Sequence, residues 1–221
     1  MLQLTGYGIK VDGSSHSDPA AYEAKVLQLL NHMTLHNAGE ALLWGISTHG
    51  LSVTITPYLQ TGCNAGGGIS LGKGYVNFSP ETFKYGIPNC NDAGSAGADP
   101  REILFHELVH ALRGVAGKWR GDGRGGNFRS GGLKAIYTDD EEFIALMLTN
   151  IYSSQRGRPL REGHTTGPGG FGSLAQTSTH TLKSAAKIQL IEVVKRDHPE
   201  MFRRIASSGT RYNPLRDYEA L

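Results

Sequence analysis

The sequence predicts an α+β fold. Three observations carry the expectation. Two segments, PREILFHELVHALR from Pro100 and DDEEFIALMLTNIY from Asp139, open with cap residues and repeat their apolar side chains at helical spacing. A third, SDPAAYEAKVLQLL, does the same earlier in the chain, and two short stretches, LSVTITPY and GYVNFSP, are patterned as strands. With 221 residues, 38% apolar and 19% charged, the chain reads as one domain over 1–221.

In chain order, Ser17 and Asp18 precede Pro19, a cap followed by proline in the first turn, so a helix begins there and runs toward His36. NAGEALLWGISTHG forms a second, shorter helix that closes near Gly50. In LSVTITPY, Leu51, Val53 and Ile55 alternate with Ser52, Thr54 and Thr56, the period of a half-buried strand. GYVNFSP is the second strand, over 74–80 and ending at Pro80, and 84–99 is turn chemistry throughout. The next helix, 100–113, is bounded by Asp99 as cap, Pro100 in the first turn and Glu102 completing a D-x-x-E box. Residues 113–132 hold eight glycines, five basic residues and one acid, the composition of a positively charged loop, a lid or basic exosite. Thr138 and Glu141 repeat the capping logic before a helix whose buried face includes Phe143, Ile144, Leu146, Met147 and Ile151. Residues 156–173 read as loop, and the chain ends in helix interrupted near Pro199.

Thirty glycines, about twice the usual share, point to long loops over the core. The net charge of +2 gives no reason to expect nucleic acid or an anionic membrane as partner. No run approaches the roughly 18 apolar residues of a spanning helix, and the first residues lack a basic segment followed by an apolar one. Cys63 and Cys90 could close a loop of roughly 28 residues worth ~3 kcal/mol, although such pairs more often stay reduced.

The segment that carries chemistry is LFHELVH, 104–110. On a helix advancing about 100° per residue, His106 and His110 lie one above the other, so both imidazoles can reach one ion. Glu107, a further step around, is displaced from the ligand direction but able to reach a water on that ion, which makes it the general base. Two neutral imidazoles and a carboxylate suit zinc, one ion per chain, with a fourth position for water. His32 and His36 share the spacing, but Met33 stands where the Glu would be, and they read as packing residues. A third ligand further along the same helix is excluded: the metzincin continuation needs Gly at 113 and His at 116, an aspzincin-like one Asp at 116, and the chain has Arg113 and Ala116. The carboxylate therefore comes from TDDEEFIA. Glu141 has the capping role available, which makes Glu142 the better ligand of the two, and whichever Glu does not bind can hydrogen-bond a ligating imidazole from behind.

PREILFHELVHALRG followed by DDEEFIALMLTNIYSSQRGRPLREGH resembles the NleD-type bacterial effector zinc metallopeptidases, a family with a secreted member that cleaves host signalling kinases. HExxH followed by a double Glu is also similar to the clostridial neurotoxin light chains, and EEFIA to the ligand helix of anthrax lethal factor, where the Glu before Phe binds zinc. The resemblance spans Pro100 to His164. It implies a zincin-like, gluzincin architecture, the HExxH helix packed on a small mixed or antiparallel sheet, and Glu142 on the metal. It also implies a Tyr or Arg that stabilises the oxyanion. Tyr137 is one candidate, with packing at the helix start as its alternative; Arg161 and His164 are others, with loop-anchoring salt bridges as theirs. Such folds present substrate along a sheet edge, for which the strand at 74–79 is the candidate. The expectation is a monomeric zinc metalloendopeptidase acting on a protein or peptide. It would be secreted without a recognisable signal peptide, and delivered into a target cell, or else cytoplasmic. The alternatives are a zinc-stabilised binding or toxin module without proteolysis, and a zinc hydrolase acting on a non-protein or cell-wall peptide substrate.

Overall fold

The computed structural model describes residues 1–4, 6–48, 52–60, 65–80, 95–120, 137, 139–163 and 173–221. The first half builds a sheet. Strands β1 (Leu2–Leu4) and β2 (Ile9–Val11) form an antiparallel pair, and helices α1 (Pro19–Met33) and α2 (Asn37–Thr48) carry the chain to β3 (Val53–Thr56), parallel to β2. Strands β4 (Gly66–Ser70) and β5 (Lys73–Asn77) are an antiparallel hairpin whose two-residue turn, Leu71 and Gly72, has φ of 49° and 76°. Two successive left-handed residues match the twist of the flanking strands. β5 pairs parallel to β3, so the order β1-β2-β3-β5-β4 makes the sheet mixed.

The second half is helical. The described elements are α3 (Pro100–Val115), α4 (Asp140–Gln155), the short pair β6 (Leu160–Arg161) and β7 (Ser173–Leu174), α5 (Thr179–Leu182), α6 (Ala185–Asp197), α7 (Pro199–Ala206) and α8 (Pro214–Glu219). His198 separates α6 from α7, as the proline after it requires. The architecture is α+β, and its buried apolar cluster draws residues from Leu4 to Leu215.

Helix α3 is the central element, in contact with β4, β5, α1, α2 and α4. Its Leu104, Phe105, Leu108 and Leu112 are fully buried, about 1.5–3 kcal/mol each. Phe105 stacks on Tyr152 of α4 with centroids 4.8 Å apart and planes 5° from parallel. Apolar packing therefore sets how the two motif-bearing helices lie against one another. On the sheet side β4 approaches α3 so closely that a Cβ at Gly67 would lie 2.2 Å from the Glu107 carbonyl oxygen. Only glycine fits there.

Several expectations change. The strand at 74–79 is interior, flanked by β3 and β4; the sheet edge beside α3 is β4, whose glycine-rich sequence has no alternation to read. The short strands β1, β2, β6 and β7 lie in stretches with no strand signal; β6 falls inside the expected 156–173 loop and β7 at its end. Helix α3 continues to Val115, so Arg113, expected in a flexible loop, is a core residue only 1% exposed. Of the proposed lid, 121–132 lies outside the described residues, as do Cys63 and Cys90. The capping box expected at α3 does not form: Asp99 accepts from the Arg101 amide while Glu102 faces Arg158. The cap of α4 is Asp139, and Thr138, the expected cap, lies outside the described residues.

Candidate metal centre

His106 and His110 stand one turn apart on α3, 5% and 3% exposed. Their rings are edge to face, planes 84° apart, and both Nε2 atoms converge, 3.1 Å from each other. Across from them α4 begins. Asp139 accepts the Glu142 amide at 2.9 Å, which fixes the first turn. Glu142 occupies the third helical position, where a side chain often folds back on its own cap. Here it reaches across to α3, its Oε2 3.1 Å from His106 Nε2 and 3.5 Å from His110 Nε2.

Protons alone do not satisfy this triangle. Each imidazole Nε2 is either donor or acceptor, so if both carry hydrogen they face each other N–H to N–H, and if one does, a lone pair of the other faces the carboxylate. A cation at the centre meets three lone pairs at once. Ligand atoms about 2.0–2.1 Å from a tetrahedral ion lie about 3.3–3.4 Å apart, within the 3.1–3.5 Å range of these three separations. Among the described residues, His106, His110 and Glu142 form a buried group that could hold a metal ion.

The electrostatics agree. Burial drives His106 down to about 4, keeping it neutral as a ligand must be, despite the opposing pull of Glu142. Burial would lower His110 too, but the Glu141 and Glu142 carboxylates outweigh it and hold it up at about 10. A field that retains a proton at that position favours any cation there. Glu142 itself is disfavoured by burial, yet the two imidazoles hold it well below the usual carboxylate range.

Glu107 lies half-buried under β4. Burial and the Glu142 charge raise it to about 7, against the pull of His110, the Gly67 amide and Arg161. A carboxyl poised near neutrality can both take and return a proton.

Glu141, one step around α4, does not share the centre. Its carboxylate accepts from Arg113 Nε at 2.8 and 2.9 Å and from the Arg120 amide at 3.1 Å, and Oε1 lies 3.7 Å from His110 Nδ1. Arg161 is a half-buried cation whose charge acts on Glu107, Glu142 and His106. Burial lowers its pKa to about 10, while the surrounding carboxylates oppose the shift. Its backbone is clamped by Asn150, which accepts its amide at 2.9 Å and donates to its carbonyl at 2.8 Å, and its Nε donates to the Gly163 carbonyl at 2.7 Å. Gly97, φ 72°, leaves room for it: a Cβ there would sit 2.7 Å from Arg161 Cδ. Tyr137 takes its packing alternative. Its hydroxyl donates to the Glu162 carbonyl at 3.0 Å, its ring meets Phe143 edge-on, and burial raises its pKa, so it braces the Arg161 segment and has already committed its proton. His164 lies outside the described residues. His32 and His36 pack at the α1 end, His32 beside the Arg101 guanidinium and His36 edge-on to Tyr152.

Three contributors escaped the sequence reading. Gly67 and Asn150 carry no local signal. Arg113 does carry one: three residues after His110, it extends the His106/His110 face by another turn. Compared with protein-family models, curated proteins and solved structures, the chain matches none.

Proposed function

We propose that this chain is a zinc-dependent metalloendopeptidase in which His106, His110 and Glu142 hold the ion and Glu107 is the general base. The observation that carries the reading is the convergence of two imidazole nitrogens and a carboxylate oxygen at 3.1–3.5 Å, with a second, near-neutral carboxyl on the next residue of the same helix. The donor set fits zinc: two neutral nitrogens and one carboxylate are the ligand types of open catalytic sites, and a structural site would usually be closed by a fourth protein ligand.

When bound, zinc supplies Lewis acidity that lowers the pKa of a water to about 7 and polarises a carbonyl. Glu107 would then take a proton from the attacking water and return it to the departing amine, the role open to a carboxyl one residue beyond a ligating histidine on the same helix. Arg161, a fixed cation beside both carboxylates, is better disposed than Tyr137 to meet the negative charge that develops on the carbonyl oxygen. The edge strand β4, over the helix turn that carries Glu107, is where an extended peptide would add to the sheet. The likeness to effector peptidases extends the reading to a secreted protein with a protein substrate.

Incubating a peptide library with wild type and with Glu107→Gln, and reading new termini by mass spectrometry, tests the reading. Wild type should cut, and the variant should retain about one zinc per chain while losing turnover. Undiminished cleavage by Glu107→Gln would remove the base assignment, and absence of cleavage by a zinc-loaded wild type would favour a binding module.

A further inference from the structure

We infer that Arg113, a residue outside the ligand set, is a positioning residue for the metal centre. It aims Glu141 at His110 and ties segment 118–120 to the ligand helix. The inference rests on reading the His106, His110 and Glu142 group as a metal site.

Arg113 follows His110 by three residues, and its side chain is 1% exposed. Two of its three guanidinium nitrogens donate hydrogen bonds, and the third, Nη1, makes none but lies near an acid. Nε donates to both Glu141 oxygens, Nη2 donates to the Lys118 carbonyl at 2.7 Å, and Nη1 lies 3.7 Å from Asp197 Oδ2 at the end of α6. Glu141 is held from a second side by the Arg120 amide, leaving Oε1 3.7 Å from His110 Nδ1, just beyond hydrogen-bond distance of a buried nitrogen that makes no hydrogen bond of its own. Between the two residues that grip this pair, Trp119 lies against the ligand, its ring centroid 5.3 Å from that of His110.

A histidine that ligates through Nε2 keeps its proton on Nδ1, and a carboxylate facing that proton fixes the ring and raises its basicity. Glu141 unaided would be a buried anion with rotational freedom. Arg113 removes both problems: it supplies the compensating charge, and its Nε–H, shared between both Glu141 oxygens, together with the Arg120 amide on Oε2 holds the carboxylate in place. Stability does not account for the pair, because a buried ion pair rarely outperforms an apolar pair of equal volume. What this pair adds is direction.

The test uses the full chain, stripped with a chelator and titrated with Zn²⁺ against a chromophoric competitor, with far-UV circular dichroism as the check on folding. Wild type should bind one ion. If it binds none, the metal reading falls. If it binds and Arg113→Lys binds equally well, the metal reading stands and this inference falls. The expected result is a loss of about 10–100-fold in Zn²⁺ affinity for Arg113→Lys, a similar loss for Glu141→Gln, and no further loss in the double variant, because both act through one orientation. Lower thermal stability with unchanged affinity would reveal a structural role only and overturn the inference. A second readout is quenching of Trp119 by Co²⁺ in a Trp44→Phe background, which should need correspondingly more metal in Arg113→Lys. Should the variants fail to fold, the wild type decides: the Arg113 Nε–H resonance must shift on Zn²⁺ loading, and an unmoved resonance refutes the coupling.

Discussion

Removing Glu142 tests the centre most directly, because it is the ligand contributed by α4 while both histidines stand on α3. An ion bound to all three joins two helices whose contributions are 32 positions apart in the chain, so it binds the folded state and hardly the unfolded one. At a zinc concentration 100 times the dissociation constant, that preference is worth about 2.7 kcal/mol. For a chain of this size each kcal/mol moves the midpoint by about 2–4 °C, so stripped wild type should gain about 5–11 °C on adding zinc. Glu142→Ala leaves two imidazoles on one helix. If affinity drops about 100-fold, the gain at the same zinc concentration falls to about 0.4 kcal/mol, below about 2 °C. Glu141→Ala should retain up to roughly half the wild-type gain, since loss of a residue behind the ligand weakens affinity by about tenfold or more. Differential scanning fluorimetry with and without zinc, each protein against its own stripped baseline, reads all three. A full gain in Glu142→Ala, or a smaller gain in Glu141→Ala than in Glu142→Ala, would refute the ligand assignment.

Two further outcomes follow from the packing around the centre. Gly67→Ala places a methyl 2.2 Å from the Glu107 carbonyl oxygen, so β4 must shift, costing about 1–3 kcal/mol in urea denaturation; Gly66→Ala, with nothing within 4 Å, should cost far less, and equal effects would contradict the close approach. Asp99→Ala removes the α3 cap and the partner of Arg101 and Arg156, costing about 0.5–2 kcal/mol at neutral pH. Burial opposes the Asp99 charge, but those two guanidinium groups outweigh it and hold the folded-state pKa below the ordinary 3.8. Its contribution is therefore fully present above 3.8 and lost as pH falls further, so wild type and variant should converge only in that acid range; convergence already near pH 5 would count against the ion pairs.

Much of the centre was legible in the chain because it depends on local geometry. Four-residue spacing stacks His106 and His110 whatever surrounds them, and Pro100 after Asp99 starts the helix from sequence alone. The α+β class followed from period-2 and period-3.6 patterns that need no partner to be read. Glu142 stands beside the two histidines, as the sequence led us to expect, but Glu141 is drawn away from them by Arg113.

What required the tertiary structure were the relations between segments. Strand β4 has no alternating pattern, since its glycines answer to the α3 backbone pressed against them, and only the assembled sheet makes it the edge in place of β5. Only the assembled fold gives the Tyr137 hydroxyl the Glu162 carbonyl and brings the Arg161 charge close enough to act on Glu107 and Glu142. Arg113 reads as a loop cation until Glu141 and Asp197 are brought around it. The chain by itself determined which side chains share a helix face, because helical periodicity is a property of consecutive residues. Which charges meet across α3, α4 and α6 was decided by apolar packing between distant segments, and no local pattern encodes that.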